Sequence, residues 1–571
     1  LTGAELTIRS AVYGMGYQRD VLGADPRSAW MLDSFGHDPG FPSLMAGAGL
    51  TSSSWARGPF HQWGPDDNTR MQFPAEFEWI SPDGTGLLTA YMANHYGAGW
   101  GPLHQAAGVS AASAAAYDQF RQLAPVAATP NVMLPVGSDH VLPARWVTDV
   151  HRSWNARYLW PRFVTAIPRE FFDAVRASSS GVPPSSGLGI TPQSRDMNPL
   201  YTGKDVSYID TKQANRAGEV AVAEGERFAT LAWLRGAPYP SESLDQAWRQ
   251  LAYGAHHDAI TGTESDQVYL DLLAGWREAW QRGDAARRDA LSFLASSGGS
   301  SSARAASSGG VTVFNGLARE RDGMATVTVQ PDSPGPAWVS LVDGDEVLPA
   351  LADNVRRHPD GSLASVTLTF RARAVPGLGF RRYGLRFLDA APSADPGWTD
   401  APGSSIGNGR LTVTADPARG GTLTAITGRR TGREALRGPG NELVLQQEYE
   451  QHPHWGEGPW HLAPRGPGIG SGGAPATVTA QRSPVGSRLV ATFRLGDLSV
   501  RQETLLWDGA ERVEFRTHVS GSIGQDRLLR VRFPADLPGG LPVYQTATAV
   551  IGRPFGAPEA DTAAQWWTLD N

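Results

Sequence analysis

The chain of 571 residues contains no cysteine. A cysteine-free protein forms no disulfide, zinc ribbon, iron–sulfur cluster or thiol nucleophile, so any metal must be held by His, Asp, Glu, Asn or Gln. The length excludes a small stapled scaffold and suits about three or four domains, each large enough to bury its own core.

The sequence also lacks basic runs and long apolar runs. Its 57 Asp and Glu residues outnumber its 50 Lys and Arg residues, which gives a formal net charge of −7. Such a chain offers no electrostatic footprint for a phosphate backbone. It contains no run of about 18 apolar residues that would predict a membrane span. We therefore expect neither a nucleic-acid partner nor an integral membrane protein, while secreted and cytoplasmic locations both stay open.

Changes in pattern divide the chain into four parts. Residues 1–190 alternate short apolar runs such as 132–136 with helical stretches, which predicts an α/β domain with a mostly parallel sheet. Residues 191–295 have a helical period and predict a three-helix bundle. Residues 296–310, rich in Ser and Gly, predict a flexible linker. Residues 311–571 alternate with period two, which predicts antiparallel β-sandwich domains.

A first candidate site follows the apolar residues at 30–32. Asp33, His37 and Asp38 lie in a short loop with several Gly and Pro residues. Such a loop at the end of a strand can present its side chains to a substrate. The alternative is an ordinary turn with solvated acids and one surface histidine.

A second candidate site follows the apolar run 132–136, where Gly137 and Ser138 precede Asp139 and His140. Glycoside hydrolysis needs two acids, one as general acid/base and the other as nucleophile or activator of water. Two acids at separate strand ends would meet that need. The alternative is structural, because many strands of α/β proteins end with Asp.

A third candidate site interrupts the apolar face of a predicted helix with His256, His257 and Asp258. Neighbouring residues on a helix point about 100° apart, so the two imidazoles cannot both face the core. One could ligate a metal while the other contacts substrate. Alternatively, both cap the end of the helix before the turn at residues 261–263.

A loop rich in His and Trp occupies residues 450–461 of the β region. Its H-x-H pair could bind a metal, and exposed Trp rings could stack on sugars. We favour an ordinary surface loop.

Taken in order, these segments resemble glycoside hydrolase family 38, the retaining, metal-dependent α-mannosidases. The W-x-x-D-x-F-G-H segment of that family occurs at residues 30–37, and its acid after an apolar run and a glycine occurs at Asp139. Its H-H-D-A-I-T-G-T segment occurs unchanged at residues 256–263. The resemblance spans essentially the whole chain. It implies an incomplete, (β/α)-barrel-like α/β domain, then a three-helix bundle, then antiparallel β-sandwich domains.

The resemblance also implies a role for each matching residue. Asp33 corresponds to the catalytic nucleophile, which also contacts zinc, and Asp139 to the general acid/base. His257 corresponds to a zinc ligand. Arg57, His256 and Asp258 correspond to substrate-binding residues.

The implied activity is retaining hydrolysis of terminal α-D-mannosidic bonds in oligosaccharides or glycans, through a covalent mannosyl-aspartate intermediate. The implied cofactor is one Zn²⁺ in the active site. The implied partner is a mannose-containing glycan, and the sequence is compatible with a monomer or an oligomer.

The chain departs from the family pattern in two places. No H-x-D-like segment precedes Asp33, although the family takes two further zinc ligands from such a segment. We therefore expect that the chain lacks an N-terminal metal-binding segment and is inactive as given. Residues 565–571 resemble a strand that is cut off, so we also expect the C-terminal end to be missing. The second departure is Tyr208, which stands where the family usually has Arg.

Two other functions compete with the hydrolysis of mannosides. One is a carbohydrate-binding or architectural protein with a vestigial catalytic domain. The other is metal-dependent hydrolysis of a different bond, such as an amide, against which the unchanged segment at residues 256–263 argues.

Overall fold

The structure is a computed structural model of the chain. It describes residues 2–58, 71, 73–179, 189–194, 197, 198, 201, 203–297, 309–450, 460, 462 and 464–552. Most of the predicted linker and residues 451–459 and 461 of the His- and Trp-rich loop lie outside these ranges.

The α-helices of the described residues all lie between Ala4 and Ser297. They are α1 (Ala4–Asp20), α2 (Phe41–Gly47), α3 (Trp100–His104), α4 (Val109–Leu123), α5 (Val147–Asn155), α6 (Pro168–Ser179), α7 (Ile209–Trp233), α8 (Ser241–Gly254) and α9 (Asp266–Ser297). None of these helices combines the length and the apolar character that crossing a lipid bilayer requires.

The N-terminal region contains a five-stranded sheet in the order β1-β2-β4-β3-β5. Its strands are β1 (Ser28–Trp30), β2 (Ser52–Trp55), β3 (Glu76–Ile80), β4 (Gly86–Tyr91) and β5 (Pro192–Gln193). The pairs β1–β2, β2–β4 and β3–β5 are parallel, whereas β3–β4 is antiparallel. The prediction of a mostly parallel sheet is therefore confirmed. Trp55, Phe77 and Trp79 form the centre of its core, each at most 1% exposed.

The strand predicted at residues 132–136 is wrong. These residues form an extended segment without ladder pairing in the described part of the chain. Pro135 has no N–H to donate to a ladder. Its carbonyl instead accepts a hydrogen bond from Gly99 N at 3.0 Å. Asp139 therefore follows an irregular segment and not a strand.

The helices α7, α8 and α9 pack together as the predicted bundle. The predicted apolar face of α8 is confirmed, because Leu244, Trp248 and Leu251 are buried against Trp276 of α9. α8 ends at Gly254, so that His256 and His257 lie in the turn beyond the helix. The apolar periodicity continues one turn further in the sequence than the helix does in the structure.

The remaining strands, all after residue 309, form antiparallel sheets. They are β6 (Gly310–Asn315), β7 (Arg321–Val329), β8 (Trp338–Asp343), β9 (Glu346–Val347), β10 (Ala350–Arg357), β11 (Leu363–Val375), β12 (Gly379–Leu388), β13 (Thr399–Ala401), β14 (Ser405–Gly407), β15 (Leu411–Asp416), β16 (Thr422–Gly428), β17 (Glu442–Glu448), β18 (Pro464–Gly470), β19 (Thr477–Ser483), β20 (Gly486–Leu495), β21 (Leu498–Trp507), β22 (Glu514–Ser520), β23 (Arg527–Arg532), β24 (Val543–Gln545) and β25 (Val550–Gly552).

Two pairs of these sheets enclose apolar cores, as a sandwich requires. The sheets β10-β11-β7 and β6-β12-β8-β9 share a core that includes Leu341 and Phe370. The sheets β14-β15-β16 and β13-β19-β20-β21-β22 share another that includes Val413 and Leu489. The predicted fold class is therefore confirmed, whereas the boundaries at residues 190, 295 and 310 stay predictions.

Candidate active site

Asp33 and Arg57 meet at one edge of the N-terminal sheet. β1 and β2 are parallel neighbours, with Trp30 opposite Ser54. Asp33 follows β1 and Arg57 follows β2, so both residues leave the sheet at the same edge. There Arg57 Nε donates a hydrogen bond to Asp33 Oδ1. The side chain of Asp33 is 20% exposed and that of Arg57 is 18% exposed, so the pair is largely shielded from solvent.

His257 approaches the other oxygen of Asp33 from the bundle. Its Nε2 atom lies 3.5 Å from Asp33 Oδ2 and 3.5 Å from Asp258 Oδ2. The turn that carries His257 rests on the start of α7. There Gly262 has a φ of +69°, and a side chain on it would come within 2.4 Å of Ser207 O. Glycine is therefore required for this approach.

The charges around Asp33 keep its carboxylate ionised. Burial raises the pKa of Asp33, but the hydrogen bond to His257 and the charge of Arg57 outweigh burial and leave the pKa below its usual value. Burial conversely lowers the pKa of Arg57, but the nearby Tyr201 and Asp33 reverse that effect and leave the pKa raised. The geometry therefore favours an ionised carboxylate beside a permanent cation.

The two adjacent histidines are in different electrostatic environments. Burial and the neighbouring His257 lower the pKa of His256. Burial lowers the pKa of His257 as well, but its hydrogen bond to Asp33 and the charge of Asp258 leave that pKa raised. The two rings lie 4.2 Å apart between centroids.

Asp139 lies in an exposed position and is held by a buried tyrosine. Tyr96, 6% exposed, donates its hydroxyl to Asp139 Oδ2 at 2.5 Å. Burial, the hydrogen bond to Asp139 and the charge of Asp33 all raise the pKa of Tyr96, and Arg57 opposes them. The hydroxyl of Tyr96 is therefore within electrostatic reach of both candidate catalytic carboxylates.

The residues Asp33, His257 and Asp258 present donors of the kind that zinc binds. Neighbouring ligand atoms of a tetrahedral zinc are about 3.3 Å apart, because each bond is about 2.0–2.1 Å long. The 3.5 Å separations around His257 Nε2 are close to that spacing. His256, His257 and Asp258 also offer ligand atoms that all lie within 4.8 Å of one another. The donor set therefore fits a metal of this class.

Sequence reasoning missed two residues of this site. Tyr96 donates a hydrogen bond to Asp139, as described above. Tyr201 accepts a hydrogen bond from Arg57 Nη1 at 3.0 Å. The only signal for Tyr96 was its place shortly after the apolar run that became β4. Tyr201 lies 144 residues from Arg57, and no local pattern indicates that they meet.

His37 is not the surface histidine of the alternative turn. It is 2% exposed, its ring lies 4.6 Å from that of Trp55, and its Nε2 lies 2.5 Å from Arg57 O. The buried ring of His37 therefore contacts the backbone carbonyl of Arg57.

Family models match most of the chain. The model for "Glycosyl hydrolases family 38 N-terminal domain" matches residues 1–204, "Alpha mannosidase middle domain" matches 200–294, and "Glycosyl hydrolases family 38 C-terminal domain" matches 406–568. Together they cover well over half of the sequence. The chain belongs to glycoside hydrolase family 38.

Individual relatives agree with this assignment. The chain is 23% identical to human Alpha-mannosidase 2C1 over 578 residues, which cover 97% of this chain and 48% of that protein. It is 24% identical to mouse Alpha-mannosidase 2 over 321 residues, 44% of this chain and 27% of that protein. The chain thus spans about half the length of the first of these relatives.

A solved structure supports the fold. The crystal structure of an alpha-mannosidase from Enterococcus faecalis V583 superposes with a TM-score of 0.77 at 17% identity, over 97% of this chain and 67% of that one. A second structure from the same organism, described as a protein in glycosyl hydrolase family 38, gives a TM-score of 0.72 at 15% identity, over 97% and 66% of the chains.

Proposed function

We propose that this protein hydrolyses terminal α-D-mannosidic bonds of mannose-containing glycans with retention of configuration. The observation that carries the proposal is the convergence of Asp33, Arg57, His257 and the Tyr96–Asp139 pair at one edge of the sheet. Membership in family 38 and the relatives named as alpha-mannosidases support the choice of substrate.

The first step uses the two carboxyls in different states. The ionised Asp33 attacks the anomeric carbon, the glycosidic C–O bond breaks, and protonated Asp139 transfers its proton to the departing oxygen. In the second step Asp139 takes a proton from water, whose oxygen attacks the anomeric carbon and releases Asp33. Two displacements at the same carbon retain the configuration.

Arg57 and Tyr96 orient these two acids. Arg57 holds one oxygen of Asp33 and keeps that carboxylate ionised. Tyr96 donates a hydrogen bond to Asp139 Oδ2 and so restricts this exposed side chain, while Oδ1 would transfer the proton. Restricting both groups lowers the entropic cost of reaching the reactive geometry.

His257 and Asp33 would hold zinc, and His256 and Asp258 are placed beside them to bind the sugar. When bound, zinc would supply positive charge that orients sugar hydroxyls and stabilises the developing oxocarbenium charge. The 3.5 Å separation of His257 Nε2 and Asp33 Oδ2 supports the two proposed zinc ligands.

The test is hydrolysis of an aryl α-mannoside by the natural full-length protein. We expect turnover with an α-configured first product by NMR, loss of turnover after chelation, and zinc binding by calorimetry that is weakened in His257→Ala. A β-configured first product would contradict the retaining mechanism. Turnover that persists with no bound metal would contradict the cofactor assignment.

A further inference from the structure

Asp38, in the loop after Asp33, contacts Thr548 in a hairpin 510 residues further along the chain. The proposed mechanism makes no use of this contact. The hairpin consists of β24 and β25 and the turn at residues 546–549. Thr548 N donates to Asp38 Oδ2 at 3.2 Å, and Thr548 Oγ1 donates to Asp38 Oδ1. The C-terminal β region therefore contacts the loop that carries Asp33.

The turn and the loop both satisfy the carboxylate of Asp38. Thr546 N donates to Ala549 O at 2.8 Å and Ala549 N donates to Thr546 Oγ1 at 3.2 Å, which closes the turn. Within its own loop, Asp38 accepts a hydrogen bond from Gly40 N at 2.9 Å. Burial raises the pKa of Asp38, but the hydrogen bonds from Thr548, Gly40 and Thr546 outweigh burial and lower it. The ionised carboxylate is thus the shared acceptor of the two segments.

The two segments also fit closely at Gly40. A Cβ atom on Gly40 would lie 2.1 Å from Thr548 Oγ1 and 2.8 Å from Thr548 Cβ. The hydroxyl of Thr548 could not move aside without breaking its hydrogen bond to Asp38. The absence of a side chain at residue 40 is therefore what lets the hairpin approach.

The inner side of the same loop is attached to the catalytic residues. His37, next to Asp38, donates its N–H to Asn198 Oδ1 at 2.6 Å, and its ring contacts the Arg57 carbonyl. Arg57 in turn holds Asp33. A continuous series of contacts therefore runs from the hairpin to Asp33.

We propose that the hairpin of β24 and β25 fixes the loop at residues 34–40 through the Asp38–Thr548 contact, which makes these two residues positioning residues for Asp33. The kinetic part of this proposal rests on the proposed function, whereas the structural coupling does not.

The test substitutes Thr548 in the natural full-length protein. Thr548→Val removes the hydroxyl at nearly constant volume, and Thr548→Ser retains it. Thr326→Val is a matched control, because Thr326 makes a comparable hydroxyl contact of 3.0 Å with Thr369 on an exposed sheet surface. We expect about tenfold faster amide hydrogen exchange at residues 34–40 in Thr548→Val, and normal exchange in the other two variants.

The kinetic readout separates positioning from packing. We expect kcat for an aryl α-mannoside to fall about tenfold in Thr548→Val, with KM changed less than about twofold, and Thr548→Ser to restore kcat. A packing contact alone would lower the melting temperature without this split between kcat and KM.

Unchanged exchange at residues 34–40 in Thr548→Val would overturn the inference, even if the protein hydrolyses mannosides normally. Faster exchange with an unchanged kcat would also overturn it, because the loop would then not position Asp33. If the unmodified protein hydrolyses no α-mannoside while the exchange response persists, the proposed function fails and the coupling of hairpin and loop is supported.

Discussion

Asp33 and Asp139 are both carboxyls at the candidate active site, but their surroundings differ. Asp33 is 20% exposed and contacts the guanidinium of Arg57 and the imidazole of His257. Asp139 is exposed, and its hydrogen-bond partner is the neutral hydroxyl of Tyr96. A neighbouring guanidinium and a hydrogen bond from an imidazole both favour the ionised form of Asp33. This environment suits the proposed role of Asp33 as a nucleophile that stays ionised.

Glu76 shows what burial alone does to a carboxyl in the same sheet. It is 2% exposed, and burial raises its pKa to about 7, although Ala128 N donates to it at 2.8 Å. The pKa of Asp33 is not raised in this way, because Arg57 and His257 compensate for its burial. The hydrogen bond to His257 and the charge of Arg57 therefore keep Asp33 ionised despite its burial.

Removing the proposed nucleophile should have the largest effect. Asp33→Ala in the natural full-length protein should lower kcat on the order of 10⁴-fold or more, for both poor and activated leaving groups. Asp118→Ala, which changes an acid that is 65% exposed on α4, is the control. Full activity of Asp33→Ala would refute the proposed mechanism.

The effect of removing the proposed acid/base should depend on the leaving group. Asp139→Ala should lower kcat/KM about 10²–10⁴-fold for a methyl mannoside, which needs protonation of its leaving group. The loss should be less than about tenfold for a dinitrophenyl mannoside, which leaves without a proton. Equal losses with both substrates would remove the distinction between Asp33 and Asp139. Steady-state rates with the two substrates make the measurement.

Neutralising Glu76 should change the pH dependence of stability. Its folded pKa of about 7 exceeds the usual 4.5, so the folded state binds more protons between these values and loses stability as pH rises through that window. The loss is fully developed above about pH 7 and amounts to about 3 kcal/mol. Glu76→Gln should therefore gain stability over the wild type at pH 8 and not at pH 4.

Urea denaturation at the two pH values checks this expectation, with Glu78→Gln as the control on the same strand. Glu78 is exposed, so its substitution should leave the free energy of unfolding nearly unchanged at both pH values. An equal effect of the two substitutions would show that burial does not set the behaviour of Glu76.

Removing the hydroxyl that holds Asp139 should have the smallest effect. Tyr96→Phe should lower kcat about tenfold for the methyl mannoside and much less for the dinitrophenyl mannoside, because only the first needs a positioned acid. Tyr158→Phe, at a residue that is 52% exposed, is the control. A loss independent of the leaving group would assign Tyr96 to the Asp33 side of the site.

Local patterns predicted the parts of the fold that depend on local contacts. The spacing of Leu244, Trp248 and Leu251 predicted the buried face of α8, because one face of a helix repeats every 3.6 residues. The period-two alternation of residues 311–571 predicted antiparallel strands, of which β15 is one. The apolar run at residues 132–136 predicted a strand that does not form. A strand needs a pairing partner, and Pro135 weakens the pairing.

The amino-acid sequence by itself determined the family, the order of α/β, helical and β regions, and the residue types of the site, because each is carried by contiguous motifs or local periodicity. Only the tertiary structure decided which groups meet. Arg57 lies 24 residues from Asp33 and Tyr96 lies 43 residues from Asp139, and Asp38 reaches Thr548 across 510 residues. Such contacts follow from how strands pair and regions pack, and the resulting burial and charge set the ionisation of each carboxyl.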